Sequence, residues 1–206
     1  MNDTLQSKSK RSRLTLIILV IMFALPIVFA WIATKNKSWQ PSNSKNYGEL
    51  VEPARPLPEF SLKTIDGTGF KLEDLRRKWS FIYFAAQSCE QHCQESLVKV
   101  RDARLAQSGE ALRVQYFLIF TQQPDAAQIA ELSKEHPRLI VLLAEGDSAN
   151  AMLNTFKLTG DESLVAAQRV YLVDPIGNFM MYYPDSFQGN GLLKDIRHLL
   201  HWSQIG

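Results

Sequence analysis

Among the 206 residues there are two cysteines, and they stand four apart, as Cys89 and Cys93 in the stretch SCEQHC, with His92 between them. A thiolate is both the nucleophile of disulfide exchange and a metal ligand. A close pair therefore has three chemistries open to it: a reversible disulfide, a two-thiolate Cu(I) site, or a zinc site completed by further ligands. Two inert buried thiols are the bland alternative, since free cysteine is among the most buried residue types. At a spacing of four on a helix the side chains share a face, and a loop before the helix leaves room to reach disulfide geometry.

Other titratable and sulfur-bearing residues have plain readings. If its segment is helical, His92 points away from the face shared by the cysteines, as a polar residue of the loop or first turn. His136 falls at a helix end, where a cation complements the dipole. His198 and His201, three apart, follow the apolar stripe Leu192, Leu193, Ile196 and Leu199 and read as a solvated face. Met180 and Met181 are adjacent in a strand and face opposite sides, which suits packing. Asp66-Gly67 and Asp174-Pro175 with Gly177 are turns. No Ser/His/Asp arrangement and no glycine-rich phosphate loop is present.

The redox compartment follows from the N-terminus. Residues 14–34, LTLIILVIMFALPIVFAWIAT, are 21 residues without a charge, the length a helix needs to cross about 30 Å of hydrocarbon. Val28 and Ala30 also allow a cleaved signal peptide, but the apolar run exceeds the usual signal core of about 7–15 residues. Lys8, Lys10, Arg11 and Arg13 precede the run and Lys35 and Lys37 follow it, which places residues 1–13 in the cytoplasm and the remainder outside. The expected location is the bacterial inner membrane, single-pass, with the C-terminal domain in the periplasm. There, two cysteines are too few for a disulfide framework, and two free thiols would not stay indifferent to each other. From residue 40 onward 17 basic residues face 20 acidic ones, a balance that excludes nucleic acid as a partner.

Residues 35–56 are polar and proline-bearing and read as a linker, with the domain over 57–206. FSLKTIDGTGFKL reads as a hairpin around Asp66-Gly67. SFIYFAA and VQYFLIF have the length and continuity of buried strands. LIVLL, RVYLVD and FMMYY follow as further strands. Helices are expected over 94–107, with Leu97, Val100, Arg104 and Leu105 at helical spacing, and over 124–136, 148–158 with Ser148 as cap, and 191–202. The order predicts an α/β chain with a thioredoxin-like fold, a central mixed sheet flanked by helices, preceded by one transmembrane helix. The cysteines then lie at the C-terminal end of the first central strand, where the chain turns into a helix and where open α/β sheets place their chemistry. Unpaired N–H groups at that helix start favour a thiolate.

LPEFSLKTIDGTGFKLEDLRRKWSFIYFAAQSCEQHC and VYLVDPIGNFMMYYP with GLLKDIRHLL resemble the Sco/SenC copper chaperones and assembly factors of cytochrome c oxidase, over about 57–200. The resemblance implies that Cys89 and Cys93 are the copper ligands, the redox pair, or both, and that the partner is a cytochrome c oxidase subunit or another copper or thiol protein. Cys89, nearer the strand end, is expected to be the more exposed and to attack, with Cys93 resolving. Glu90 and Gln94 stand where the family has prolines, and Ala166 stands where it has its distant histidine ligand. The chain thus resembles a divergent branch lacking the third copper ligand. CxxxC in place of CxxC, and the absence of proline across 164–170, separate it from general thioredoxin-like reductases. A general periplasmic thiol–disulfide oxidoreductase and a non-redox assembly scaffold are the competing functions.

Overall fold

The computed structural model describes residues 3–35, 46–160, 163–203 and 205, in two compact units, 1–45 and 46–206. The first holds α1 (Asp3–Lys35), which carries Pro26 in its interior. Within it Thr15–Ala33, 19 residues, is long and apolar enough to cross a membrane, and its side chains from Leu16 to Ile32 are exposed.

The second unit is built on one mixed sheet of eight strands among the described residues, in the order β1-β8-β7-β4-β5-β6-β2-β3. Its strands are β1 (Glu49–Pro56), β2 (Ser61–Thr64), β3 (Gly69–Lys71), β4 (Trp79–Ala85), β5 (Val114–Phe120), β6 (Leu139–Leu143), β7 (Val170–Val173) and β8 (Asn178–Tyr183). The helices are α2 (Leu72–Leu75), α3 (Gln91–Leu105), α4 (Ala126–Glu135), α5 (Asp147–Phe156) and α6 (Gly189–Trp202). β4, β5 and β6 run parallel, β7 pairs antiparallel with β4 and β8 antiparallel with β7, and the β2-β3 hairpin extends the other edge. Gly67 turns that hairpin at φ +87°, a conformation that costs glycine nothing.

Every residue of β4 and β5 is buried, as expected of strands covered on both faces. Their side chains alternate between two cores. Phe81, Tyr83 and Ala85, with Tyr116, Leu118 and Phe120, pack with both cysteines against α3, α4 and α6. Ile82, Phe84, Phe117 and Ile119 pack against α2, α5 and the β2-β3 hairpin on the opposite face. In β8 the buried residues are Phe179, Met181 and Tyr183, so of the two methionines Met181 is core and Met180 partly exposed.

Three local expectations need correction. The expected linker over 35–56 contributes β1: Glu49–Pro56 pairs antiparallel with β8. Prolines at 53 and 56 and a single buried residue, Val51, hide the strand in the sequence, and only a sheet edge tolerates such prolines. Helix α5 begins with Asp147 after Gly146, so Ser148 is not its cap, and its hydroxyl pairs instead with the Ser61 backbone. Leu105 of the expected α3 stripe is exposed, while Leu97, Val100 and Arg104 are buried. The side chain of Arg104 is held by donation from Nε to the Val114 carbonyl at 2.8 Å.

Candidate functional site

Strand β4 ends at Ala85, a short loop follows, and α3 starts at Gln91, so Cys89 sits in the loop and Cys93 in the first helical turn. The two are joined as a disulfide, with Cα atoms 5.2 Å apart, inside the range such bridges occupy. The sequence expectation of an exposed pair with Cys89 outermost is not met. Cys89 is 0% exposed and Cys93 5%, because both pack with Tyr83, Ala85 and Leu97 in the core under α3. Cys93 is the one that borders a cavity of about 150 Å³, whose wall includes Tyr83, Ser88, Glu90, Val165 and Gln168.

Both backbone groups of Cys89 are taken by side chains. Its N–H donates to Gln128 Oε1 at 2.9 Å, and its carbonyl accepts from Gln94 Nε2 at 3.0 Å and Gln128 Nε2 at 3.3 Å. Gln94 lies on α3 and Gln128 on α4, so the loop carrying one cysteine is fixed from two helices.

His92 bridges two elements instead of facing solvent freely. Its Nε2 lies 3.0 Å from the Asp185 carbonyl and its Nδ1 3.3 Å from the Tyr83 hydroxyl. A carbonyl only accepts, so Nε2 carries the hydrogen, and in the neutral ring Nδ1 accepts from the Tyr83 O–H. Burial pushes the Tyr83 phenol up to about 12, which keeps it a donor at physiological pH. The residue that first suggests a metal cluster is thus an anchor between β4 and the loop before α6.

The remaining candidates disperse. Ala166 lies in the 163–169 segment whose Val165 and Gln168 wall the cavity; its N–H donates to Ser163 Oγ at 2.9 Å, and its methyl offers no donor atom. Among the described residues no three His, Cys, Asp or Glu side chains are grouped to hold a metal ion. The sulfurs of Cys89 and Cys93 therefore fit a two-coordinate soft cation such as Cu(I) once reduced, and do not build the four-ligand shell of structural zinc. His198 and His201 are exposed, with rings against Trp202. His136, expected as a cation at a helix end, is 1% exposed against the Tyr116 ring. Burial foremost, with Arg101 second, lowers its pKa. Asp66 and Asp174 organise turns as expected: Asp66 Oδ1 accepts the Thr68 N–H, and Asp174 those of Ile176 and Asn178.

Sequence reasoning missed Gln128 and Asp195. Gln128 is 39 positions from the cysteine it clamps, so no local pattern marks it. Asp195 is 2% exposed on α6 and accepts from the backbone N–H groups of Tyr47 and Gly48 and from the Tyr183 hydroxyl. An acidic residue at an apolar stripe position was the available signal.

Residues 79–203 match the family described as transmembrane-like, thioredoxin-like, C-terminal domain. The chain is 22% identical over 197 residues to the mitochondrial SCO2 homologue of Mus musculus, covering 89% of this chain and 77% of that protein. It is 25% identical over 158 residues to the mitochondrial SCO1 homologue 1 of Arabidopsis thaliana, covering 67% of this chain and spanning 46% of the relative's length. Yeast Sco1 with copper bound superposes with a TM-score of 0.58 at 20% identity, over 72% of this chain and 90% of that one. BsSco, described as a Sco-family cytochrome c oxidase assembly protein with a disulfide switch, superposes with a TM-score of 0.55 at 16% identity, over 75% and 99%. At these identities the two superpositions establish the fold. More than half of its length lies within the matched family, and the chain belongs to it, the transmembrane-like, thioredoxin-like, C-terminal domain family.

Proposed function

We propose that this chain is a membrane-anchored assistant of cytochrome c oxidase assembly that works through reversible thiol–disulfide exchange at Cys89 and Cys93. α1 would hold the protein in the bacterial inner membrane, the basic residues before it staying in the cytoplasm and the thioredoxin-like unit facing the periplasm. The observation that carries the redox reading is the pairing itself: a disulfide at a strand-to-helix junction with one of its residues, Cys93, lining a cavity. A partner thiolate attacks Cys93 Sγ, the Cys89–Cys93 bond breaks, a mixed disulfide forms on Cys93, and Cys89 leaves as a thiolate that takes up a proton. A second partner thiolate then displaces Cys93, so the partner leaves oxidised and the pair remains as the dithiol. Run in reverse, Cys93 attacks and Cys89 resolves, the opposite of the roles expected from position alone. The unpaired N–H groups at the start of α3 favour the anion formed in either direction.

The likeness to copper-bound Sco1 supports a second use of the reduced pair, transient Cu(I) capture by two thiolates for delivery to the oxidase. Replacing both cysteines, Cys89→Ser with Cys93→Ser, in the host and measuring assembled oxidase activity tests the function; a large loss is expected. Undiminished assembly would favour a scaffold. Cu(I) titration of the reduced full-length protein separates the two uses, because metal capture requires tighter binding by the wild type than by the double variant. Rapid reduction of unrelated disulfides by the wild type would favour a general oxidoreductase.

A further inference from the structure

The two sulfurs are held by different means. Cys93 is fixed by α3, whereas Cys89 lies in the loop ahead of it, where the backbone carries no helical hydrogen bonds of its own. That freedom is removed by Gln128, whose amide forms a reciprocal pair with the Cys89 peptide group. Oε1 accepts the N–H at 2.9 Å and Nε2 donates to the carbonyl at 3.3 Å, while Gln94 Nε2 donates to the same carbonyl at 3.0 Å. Gln128 projects from the first turn of α4, a helix whose start is itself fixed by Asp125 accepting the Ala127 N–H. No other role for the Gln128 amide is apparent: both of its polar ends are spent on one cysteine.

We propose that Gln128 is a positioning residue that sets how strongly the Cys89–Cys93 pair holds its oxidised state. This rests on the reading of the pair as a redox couple. The disulfide and the clamp order the same loop. Each lowers the ordering cost of the other, and such coupling is reciprocal. After reduction the clamp keeps the Cα atoms near the 5.2 Å of the bridge, which raises the effective concentration of one thiol at the other. Without it the dithiol gains loop freedom that the disulfide does not, and the equilibrium moves toward the dithiol. Gln94 supports the same carbonyl from within α3, but it cannot hold the N–H.

The test is a titration of the full-length protein in detergent against mixtures of reduced and oxidised glutathione, with the dithiol fraction read by alkylation and mass. Loss of one net hydrogen bond's worth of coupling predicts that Gln128→Ala moves the midpoint about fivefold toward the dithiol. Gln128→Glu, which keeps an acceptor for the Cys89 N–H but sets a carboxylate oxygen against the Cys89 carbonyl, moves it in the same direction. In thermal melts both variants should lose more stability in the disulfide form than in the dithiol form, since the clamp is worth more where the bridge already orders the loop. An unchanged midpoint overturns the proposal, as does a shift without a larger loss of stability in the disulfide form than in the dithiol form. A wild-type pair that stays oxidised across the whole buffer range would instead overturn the redox reading, and this inference with it.

Discussion

Removing the Asp195 carboxylate should destabilise the thioredoxin-like unit by several kilocalories per mole. Asp195 is 2% exposed, and its two oxygens accept the Tyr47 N–H at 3.0 and 2.9 Å, the Gly48 N–H at 2.8 Å and the Tyr183 O–H at 3.1 Å. The segment it holds lies immediately before β1, so the carboxylate joins the sheet's edge strand to α6. In Asp195→Ala the Gly48 and Tyr183 donors stay buried without a partner, while the Tyr47 N–H is partly reached by water. At about 1–3 kcal/mol for each stranded donor, the expected cost is about 3–5 kcal/mol. For a unit of this size each kcal/mol shifts Tm by about 2–4 °C, so a fall of about 10 °C is expected by circular dichroism of the full chain in detergent. Asp195→Asn keeps one acceptor but turns an amide N–H toward a donor, and should lose about half as much. A melt for Asp195→Ala within about 2 °C of wild type would refute this reasoning, because it would mean that water or a neighbour replaces all three bonds.

Gly191 on α6 lies so close to Tyr47 that a Cβ there would stand 2.7 Å from the Tyr47 Cβ; Gly191→Ala should therefore push that segment off Asp195 and lower Tm, as a melt would show. His136 is buried and its pKa lowered, so it contributes stability above its unfolded value of about 6.5 that is lost as pH falls through the folded value. His136→Leu should flatten the loss of stability as pH falls below about 6.5, where a wild-type slope approaching about 1.4 kcal/mol per pH unit is expected. Tyr83 is raised to about 12 and Tyr183 is raised as well, both chiefly by burial. Their stabilising effect is complete below the unfolded value of about 10 and is lost above it, so alkaline unfolding monitored by tyrosinate absorbance should be cooperative rather than gradual.

Much of this architecture is written in local pattern. The continuous apolar runs of β4 and β5 announce strands buried on both faces, the Asp66-Gly67 pair announces the hairpin, and the strand-to-helix switch places the cysteines at the end of β4. What escapes is whatever depends on distant partners. Strand β1 has little pattern of its own and exists because β8, more than a hundred residues later, pairs with it. Helical spacing locates His136 at the end of α4, but not that the chain there turns its ring in toward Tyr116. The order of cysteine exposure is set by how α3 packs on β4 and by the 163–169 segment, neither of which the CxxxC spacing encodes. Gln128 has no signature at all, since an exposed-looking glutamine in a first helical turn gains its meaning only from the loop it meets.

The central claim, that a shielded but exchangeable disulfide presents Cys93 to its partners, is tested most directly by trapping the mixed disulfide. The oxidised full-length protein is mixed with reduced glutathione under native conditions, quenched with acid, and digested for mass mapping. The account predicts a glutathione adduct on Cys93, with Cys89 recovered as the free thiol. An adduct on Cys89, or none until the fold is denatured, would contradict it.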